Sequence, residues 1–303
     1  MNAASAVAAV TATVTSARHG ASSTDERPAA TNNRQFMELV VVWPGVNNPG
    51  WINLHCHLKN ADPSKNDGKD WVIGWPHKAA DSFLRQASWV ESTAQFFDVW
   101  YCTSQQSEAT QNKTNGKAKA VRKARNATWL KAIWIDCDVK PDDTTGKHYT
   151  SNKEAWAALS AFSVKVGLPP PSAVVHSGGG FHTYWISDEP LSPQDWRGYA
   201  EGLKALLIQE GVKCDTGLTT DSARLLRVPG TLNHKYSPPR TVEILHLRQM
   251  YDFATHLSVL QSVSQIKPVT NVPSPPLAPA IVPGRESSFD KTRSDLRIAD
   301  RGS

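Results

Sequence analysis

The sequence predicts an α+β protein built from antiparallel strands and flanking helices. Short apolar segments bounded by glycine, proline or asparagine are typical of strands, and two of them flank the glycine turn Ser177–Gly180, which predicts a hairpin. Longer segments carry apolar residues at helical spacing behind a serine suited to the N-cap position. At 303 residues the chain is long enough to bury a substantial core in one domain or in two closely joined lobes.

The predicted folded part spans residues 36–263 and divides into an N-terminal α/β lobe, about 36–95, and a second lobe, about 96–263. Residues 1–35 are mostly alanine, threonine, serine and asparagine with scattered charge, which predicts a disordered N-terminal tail. Prolines are frequent near the C-terminus, so residues 264–303 are predicted to form a disordered, extended tail.

The N-terminal half is predicted to contain strands and one helix. The continuous apolar run Glu38–Trp43 predicts a buried strand, and Trp51–Leu58 alternates like a second strand. After a polar loop, Asp81–Glu91 is predicted to be a helix and Phe96–Cys102 a further strand.

The C-terminal half is predicted to contain two longer helices and a series of strands. The first helix begins at Ser151 or Asn152 and ends at Gly167, and the second begins after Ser192 and ends at Gly211. The remaining predicted elements are the strands Lys131–Asp138, Ser172–His176, Phe181–Ile186 and Thr241–Leu245 and the short helix Phe253–Val259.

Charge and cysteine usage restrict the class of protein. The net charge of +5 gives a mild bias towards anionic partners. The cysteines Cys56, Cys102, Cys137 and Cys214 form no C-x-x-C pair, which argues against a zinc ribbon and a disulfide framework and predicts a cytoplasmic location. No apolar run reaches the roughly 18 residues of a membrane span, so no membrane partner is expected.

The strand Lys131–Asp138 ends in two acids that point to the same side. Because side chains alternate along a strand, Asp136 and Asp138 share one face while Cys137 points to the other. Two like charges so close repel unless a cation lies between them, which favours a divalent metal site. The alternative is that both acids merely end the strand and open a turn.

The glycine turn is a candidate anion site. Ser177, Gly178 and Gly179 carry little or no side chain, so their backbone N–H groups can approach a phosphate, and the following strand brings His182 beside it. The alternative is an ordinary glycine hairpin with a hydrogen-bonded histidine.

A third candidate motif is the run from Arg224 to Lys235. In a helical segment Arg224 and Arg227 would share one face and form a fork for phosphate oxygens. A Pro-Gly turn follows, after which Asn233 and Lys235 add polar groups. The alternative is a structural arginine pair with Asp221 as its salt-bridge partner.

Residues 109–135 contain no acid and carry many basic residues. Such a run is either a solvated surface or a binding site for a nucleic-acid backbone or a triphosphate. The candidate nucleic-acid-binding residues are Lys117, Lys119, Arg122, Lys123 and Arg125.

Taken in order, the Asp-x-Asp strand, the Ser-Gly-Gly-Gly-x-His hairpin and the Arg-x-x-Arg-x-Pro-Gly-Thr-x-Asn-x-Lys run resemble the archaeo-eukaryotic primase-polymerase superfamily. Within it, the chain is similar to phage and plasmid replication primases over about residues 96–246. The resemblance implies an RRM-like antiparallel sheet with flanking helices as the catalytic core. It also implies a DNA primase or polymerase, a template-dependent nucleotidyltransferase that makes or extends primers on single-stranded DNA.

The resemblance implies a metal site. The family's acid pair binds two divalent ions, Mg²⁺ or Mn²⁺, which corresponds here to Asp136 and Asp138. A third carboxylate corresponds to Asp215, with Asp221 as the weaker alternative.

The resemblance also implies a nucleotide site for an NTP or a dNTP. In the family, the histidine after the glycines contacts the phosphates of the nucleotide. This histidine corresponds to His182, and Ser177 is nearby. The basic residues of the last motif correspond to Arg224, Arg227 and Lys235. The implied partners are a single-stranded DNA template and a separate replicative helicase, in the cytoplasm of a bacterial host if the gene is carried by a phage or plasmid.

Two other functions stay open at this point. His55 and His57 flank one residue on a strand, as the metal-binding histidines of HUH-class single-strand nickases do. The chain could also be a catalytically inactive, primase-like module for replication initiation that only binds DNA.

Overall fold

The computed structural model describes residues 26–62, 64–112 and 116–264, and they form antiparallel sheets with flanking helices. The predicted α+β class with antiparallel sheets is therefore confirmed. Of the two predicted tails, residues 1–25 and 265–303 lie outside the described residues.

The elements follow one another along the chain with mostly short connections. The helices are α1 Glu26–Val40, α2 Ala80–Glu91, α3 Asn152–Lys165, α4 Pro193–Gln209, α5 Phe253–His256 and α6 Ser258–Ser264. The strands are β1 Ile52–Leu58, β2 Trp71–His77, β3 Phe96–Cys102, β4 Gln105–Gln106, β5 Ala109–Gln111, β6 Ala118–Ala120, β7 Ala127–Asp138, β8 Ala173–His176, β9 Gly180–Leu191, β10 Leu225–Arg227, β11 Leu232–Asn233, β12 Arg240–Thr241 and β13 Glu243–Leu247.

The strands build two larger sheets and two small hairpins. The first sheet has the order β10–β3–β1–β2, and the second, the central sheet, has the order β13–β8–β9–β7–β4. Strands β5 and β6 pair with each other, as do β11 and β12. The first sheet takes strands from both sides of residue 95, and the predicted division into two lobes there stays a prediction.

The two larger sheets meet through buried aromatic side chains. Tyr101 of β3 donates a hydrogen bond to the hydroxyl of Tyr184 of β9 at 3.1 Å. The ring of Phe36 from α1 packs edge-on against both, with centroid distances of 6.1 Å to Tyr101 and 5.4 Å to Tyr184. Because all three rings are fully buried, they fix the first sheet against the central one.

The predicted strand Glu38–Trp43 is wrong, because helix α1 runs through Val40. Its buried residues Phe36, Met37 and Val40 recur at the three-to-four-residue spacing of a helix face. The polar residues before Phe36 hid this period, and the helix begins ten residues before the predicted start of the folded part.

Helix α4 covers one face of the central sheet. The indole of Trp196 stacks on that of Trp134 from β7, with centroids 5.5 Å apart and planes at 28°. Its Nε1–H donates to the carbonyl of Ala132 at 2.8 Å, so this buried polar group is satisfied. The Ser192 side chain accepts from the backbone N–H of Asp195, which confirms the predicted start of this helix.

The existence of most strands was predicted correctly, but several of their observed ends differ from the predicted ones. β7 begins at Ala127 and β9 extends to Leu191, both beyond the predicted limits. Strand β2 was not predicted at all, because Gly74 and Pro76 interrupt its alternation. In the part of the chain that the structure describes, no helix is long and apolar enough to cross a membrane.

A buried histidine makes the stability of the fold depend on pH. His77, at the end of β2, is 8% exposed, and burial lowers its pKa from 6.5 to about 4. The unfolded chain takes up a proton near pH 6.5, whereas the native chain does so only near pH 4. The stability that neutral His77 contributes is therefore complete above pH 6.5 and is lost as the pH falls towards 4.

We expect a His77→Gln variant to lose less unfolding free energy on acidification than the original protein. The expected difference between neutral pH and about pH 4.5 is roughly 2 to 3 kcal/mol. Urea unfolding at the two pH values measures it. Equal losses in both proteins would contradict the assignment.

Candidate active site

The two acids of the carboxylate pair lie at the C-terminal end of β7. In the pairing with β9, Asp136 is opposite His182 and Asp138 is opposite Gly180. The intervening Cys137 is fully buried in the core. Asp136, Asp138 and His182 all line one cavity of about 530 Å³, so the two carboxylates share one face of the strand as the alternation predicts.

The hairpin between β8 and β9 closes over the end of the carboxylate strand. Ser177 donates its backbone N–H to the carbonyl of Gly180 at 2.9 Å, as expected for the predicted tight turn. Gly178 has a φ of 85°, a conformation that glycine adopts without strain. A Cβ on Gly180 would collide with the carbonyl oxygen of Cys137, so glycine at this position lets β9 approach β7 beside the acids.

His182 is held between the first acid and the buried tyrosines. Its Nε2 lies 3.6 Å from Oδ1 of Asp136, and its Nδ1 lies 3.4 Å from the hydroxyl of Tyr184. Burial lowers the pKa of His182 below 6.5, Asp136 opposes this shift, and Arg227 and Arg224 reinforce it. His182 is therefore a neutral ring at physiological pH.

Arg224 contacts the other oxygen of the same acid. Its Nη2 donates to Oδ2 of Asp136 at 3.3 Å, and its side chain is 27% exposed. Within the described residues, the buried Nε of Arg224 has no hydrogen-bond partner. Arg224 lines the cavity, and a guanidinium group there suits an anionic ligand.

Arg227 is fixed by an acid that the sequence analysis did not single out. Its Nη1 donates to Oδ1 of Asp98 at 2.5 Å, and both side chains are nearly buried. Oδ1 of Asp98 also accepts the backbone N–H of His234 at 2.9 Å. The Arg227 guanidinium lies over the ring of Trp100, 5.5 Å from its centroid. Asp98 and Trp100 therefore hold Arg227 in place, and Arg227 lines the cavity.

The predicted helical segment containing Arg224 and Arg227 is wrong. Residues Leu225–Arg227 form strand β10, which pairs with β3 so that Leu225 is opposite Cys102 and Arg227 is opposite Trp100. The free edge of β3 supplies backbone partners, and the nearby Pro229 disfavours helix in the residue before it. Both arginines still line the cavity.

Asp215 lies beside the carboxylate strand. Its backbone N–H donates to the carbonyl of Asp136 at 3.3 Å, while its Oδ1 accepts the N–H of Gly217 at 3.0 Å. Asp215 lines the cavity and Asp221 does not. Asp221 instead accepts the N–H of Ala223 at 3.0 Å.

The carboxylates of the metal site that the resemblance implies do not form a closed cluster in the part of the chain that the structure describes. Among the described residues, no group of three or more His, Cys, Asp or Glu side chains converges closely enough to hold a metal ion. Carboxylate oxygens are the donors that Mg²⁺ and Mn²⁺ prefer, so the pair Asp136 and Asp138 fits such an ion in chemistry, whereas Asp215 does not converge with them. Burial and the nearby Asp136 carboxylate raise the pKa of the Cys214 thiol to about 12, so without a bound metal ion this neighbour is a thiol and not a thiolate.

Residues that follow the Pro-Gly turn contact the glycine hairpin. Asn233 donates its side-chain N–H to the carbonyl of Ser177 at 2.7 Å, and its Oδ1 accepts the N–H of Lys235 at 3.1 Å. The Tyr236 hydroxyl packs against Gly179, where a Cβ would collide with it. Arg240 stacks on the ring of Tyr236 at 3.8 Å. Asn233 thus links two of the predicted motifs.

No family model and no curated protein matches the chain. One solved structure is similar in fold. It is the AEP domain of the Cyanophage S-2L primase-polymerase (PrimPol), with a TM-score of 0.45 and 17% sequence identity over 70% of this chain and 89% of that chain. A likeness of this size assigns no roles to residues.

The basic residues predicted to bind nucleic acid lie outside the cavity lining, on β6 and on either side of it in the sequence. Lys117, Lys119, Lys123 and Arg125 have exposed side chains. Arg122 is also exposed, but its Nη1 donates to the carbonyl of Ala223 at 2.9 Å and lies 3.9 Å from Asp221. Arg122 therefore holds the segment before β10, and the nucleic-acid role of the whole set stays a prediction.

His55 and His57 lie on one strand but in different surroundings. His55 is 6% exposed, and burial together with Arg122 lowers its pKa to about 4. His57 packs between the rings of Phe97 and Trp100, with centroids 5.0 Å and 4.8 Å away. Nothing in this arrangement favours the nickase alternative.

Several cavity residues were missed by the sequence analysis. Lys147 and His148 come from the polar loop after β7, which carries no periodic signal. Asp98, which does not line the cavity but holds Arg227, had a usable signal, because it is an acid within the apolar strand Phe96–Cys102. The missed lining residues with functional side chains are Trp100, Lys147, His148, Lys213, Thr216 and Tyr236.

Proposed function

We propose that the protein is a template-dependent nucleotidyltransferase, a DNA primase or primase-polymerase that makes or extends primers on single-stranded DNA in phage or plasmid replication. One observation carries the proposal. The paired acids Asp136 and Asp138, the neutral His182 and the arginines Arg224 and Arg227 line the same cavity. Acids beside cations in one cleft suit a substrate that brings both phosphates and divalent ions.

The cationic side of the cavity is proposed to bind the triphosphate. Arg224 has a buried Nε without a partner among the described residues, and Arg227 is held in place by Asp98. Guanidinium groups bind phosphate oxygens through paired, charge-assisted hydrogen bonds. Lys235 lines the same cavity. These groups would hold the triphosphate against the glycine hairpin.

Asp136 and Asp138 are proposed to hold the divalent ions, with Asp215 as a further carboxylate in the cavity lining. When bound, such ions activate the attacking hydroxyl and neutralise charge on the leaving pyrophosphate. The protein's own contribution is then mainly positioning and electrostatic stabilisation rather than covalent chemistry.

His182 is proposed to donate the hydrogen bond of its one N–H, at Nε2, to a phosphate oxygen beside Asp136. A neutral imidazole has one N–H donor and one acceptor nitrogen. Its Nδ1 faces the Tyr184 hydroxyl at 3.4 Å, and its Nε2 faces the cavity side beside Asp136. The Tyr101–Tyr184 pair thereby fixes which way the ring points.

The alternative of an inactive DNA-binding module predicts a different response to manganese. A binding-only protein has no need of paired acids at the end of a strand in a cavity. Mn²⁺ binding measured by electron paramagnetic resonance should strengthen when a dNTP is added to the enzyme proposed here, and should weaken in an Asp138→Asn variant. Binding that ignores both the nucleotide and Asp138 would favour the inactive module.

The activity test is incubation with single-stranded DNA, labelled ATP or dATP and Mn²⁺, with and without a primer. We expect labelled products longer than the substrate, and the two arms distinguish primer synthesis from extension. A covalent protein–DNA adduct without nucleotide incorporation would instead support the nickase.

A further inference from the structure

One face of the first sheet carries an aromatic row next to the cavity, formed by Phe97, His57 and Trp100. The rings of Phe97 and Trp100 both contact the His57 ring, at centroid distances of 5.0 Å and 4.8 Å. Residues three apart on a regular strand would point to opposite faces. Here Asp98 has a φ of 53° and the pairing with β1 shifts register between Cys56 and His57, which returns both rings to one face.

The aromatic row is not closed off as a core would be. His57, Phe97 and Trp100 are all partly exposed, whereas Val99 and Cys56, on the opposite face of the same strands, are fully buried. Val72, paired with His57 in the sheet, is 54% exposed. The face therefore presents ring surface and an apolar side chain to solvent, which makes it a candidate binding surface.

The aromatic row is continuous with the candidate active site. Trp100 lines the cavity, and the Arg227 guanidinium lies over its ring. At the other end, the Phe97 ring lies 6.1 Å from that of His234. A strand lying along the row would thus reach the cavity at Trp100.

The side of this face towards β6 is basic. The side-chain amide of Asn53 on β1 donates to the carbonyl of Val121 at 2.7 Å, which ties the segment after β6 to the first sheet. Lys119, Lys123 and Arg125 on this segment are exposed. Cations flanking a row of aromatic rings match the phosphates and bases of an unpaired nucleic-acid strand.

We propose that the aromatic row is the platform on which the single-stranded DNA template stacks its bases before it enters the cavity, with its phosphates along Lys119, Lys123 and Arg125. This inference rests on the proposed function, because it assigns the template a path to that site. It also gives His57 a role as a stacked ring rather than as a metal ligand.

The test is the affinity of the full chain for a labelled single-stranded oligonucleotide, measured by fluorescence anisotropy without nucleotide. A Phe97→Ala variant should bind roughly 5- to 100-fold more weakly, as expected when one base loses its stacking partner. A Phe97→Tyr variant should retain the affinity. Duplex DNA of the same sequence should compete poorly, because its bases are already stacked.

The matched control is Trp89→Ala. Trp89 is 46% exposed on α2 and packs against Trp75 and Phe96, on the other side of the same sheet. This variant should change the affinity by no more than about twofold, and thermal unfolding should show that both variants are folded. Equal losses in Phe97→Ala and Trp89→Ala, or equal competition by duplex DNA, would overturn the platform.

The role of the basic side chains is tested separately, by the salt dependence of DNA binding. Lys119→Ala and Lys123→Ala should each reduce the slope of log affinity against log salt by about one, with little dependence on sequence. An unchanged slope in both would contradict the proposed path of the phosphates.

The platform and the proposed function can fail separately. If the original protein incorporates nucleotides while Phe97→Ala binds DNA normally, the platform is wrong and the enzyme assignment stands. If Phe97→Ala loses DNA affinity while the original protein incorporates nothing, the platform stands as a DNA-binding surface and the enzyme assignment is wrong.

Discussion

Replacing Asp136 by asparagine is expected to reduce nucleotide incorporation at least about a thousandfold, which corresponds to about 4 kcal/mol of transition-state stabilisation. Asp136 faces His182 through Oδ1 and Arg224 through Oδ2, so it is the acid around which the other groups are arranged. Asparagine keeps the shape and removes the charge. Single-turnover incorporation with Mg²⁺ or Mn²⁺ measures the loss.

The control for this variant is Asp188→Asn. Asp188 is an exposed acid on β9 that does not line the cavity. Its variant should keep full activity. An Asp136→Asn protein that is folded and as active as the control would show that the carboxylate pair is not the catalytic centre.

Replacing Asp98 by asparagine is expected to lower the free energy of unfolding by about 3 kcal/mol. The substitution leaves the Arg227 guanidinium nearly buried without its counter-charge, and breaking one side of a buried ion pair costs about 3 to 5 kcal/mol. Asparagine keeps the acceptor for the N–H of His234 and tolerates the positive φ at this position. Urea denaturation measures the change.

A double-mutant cycle separates the pair from other effects of the substitution. Arg227→Met removes the charge and keeps much of the side chain's apolar stem over Trp100. The double variant Asp98→Asn with Arg227→Met should be more stable than the sum of the single losses predicts, by about 2 kcal/mol. Strict additivity would mean that the short Arg227–Asp98 contact does not couple the two residues.

The sequence predicts well those parts of the site that depend on local pattern. The alternation of Lys131–Asp138 places Asp136 and Asp138 on one face, and the glycine turn brings His182 back beside them. Both follow from the period of a strand and from the geometry of a tight hairpin, which act over a few residues. The β7–β9 pairing places the two predicted features side by side, with Asp136 opposite His182.

The sequence does not predict contacts that depend on distant strands. Arg227 meets Asp98 across β3 and β10, although the two residues are 129 positions apart in the sequence, and the pattern around Arg224 suits a helix until the free edge of β3 is known. Likewise, α1 appears as a strand because the polar residues before Phe36 conceal the helical period. In both cases tertiary packing overrides local preference.

The most direct test of the central claim is which nucleotide is incorporated opposite a defined template base. On oligo(dT) the protein should add only adenine nucleotides, on oligo(dC) only guanine nucleotides, and both reactions should require Mg²⁺ or Mn²⁺ and Asp136. Folded protein that incorporates nothing under these conditions, or that adds the same nucleotide whichever template is present, would contradict template-dependent nucleotidyl transfer in this cavity.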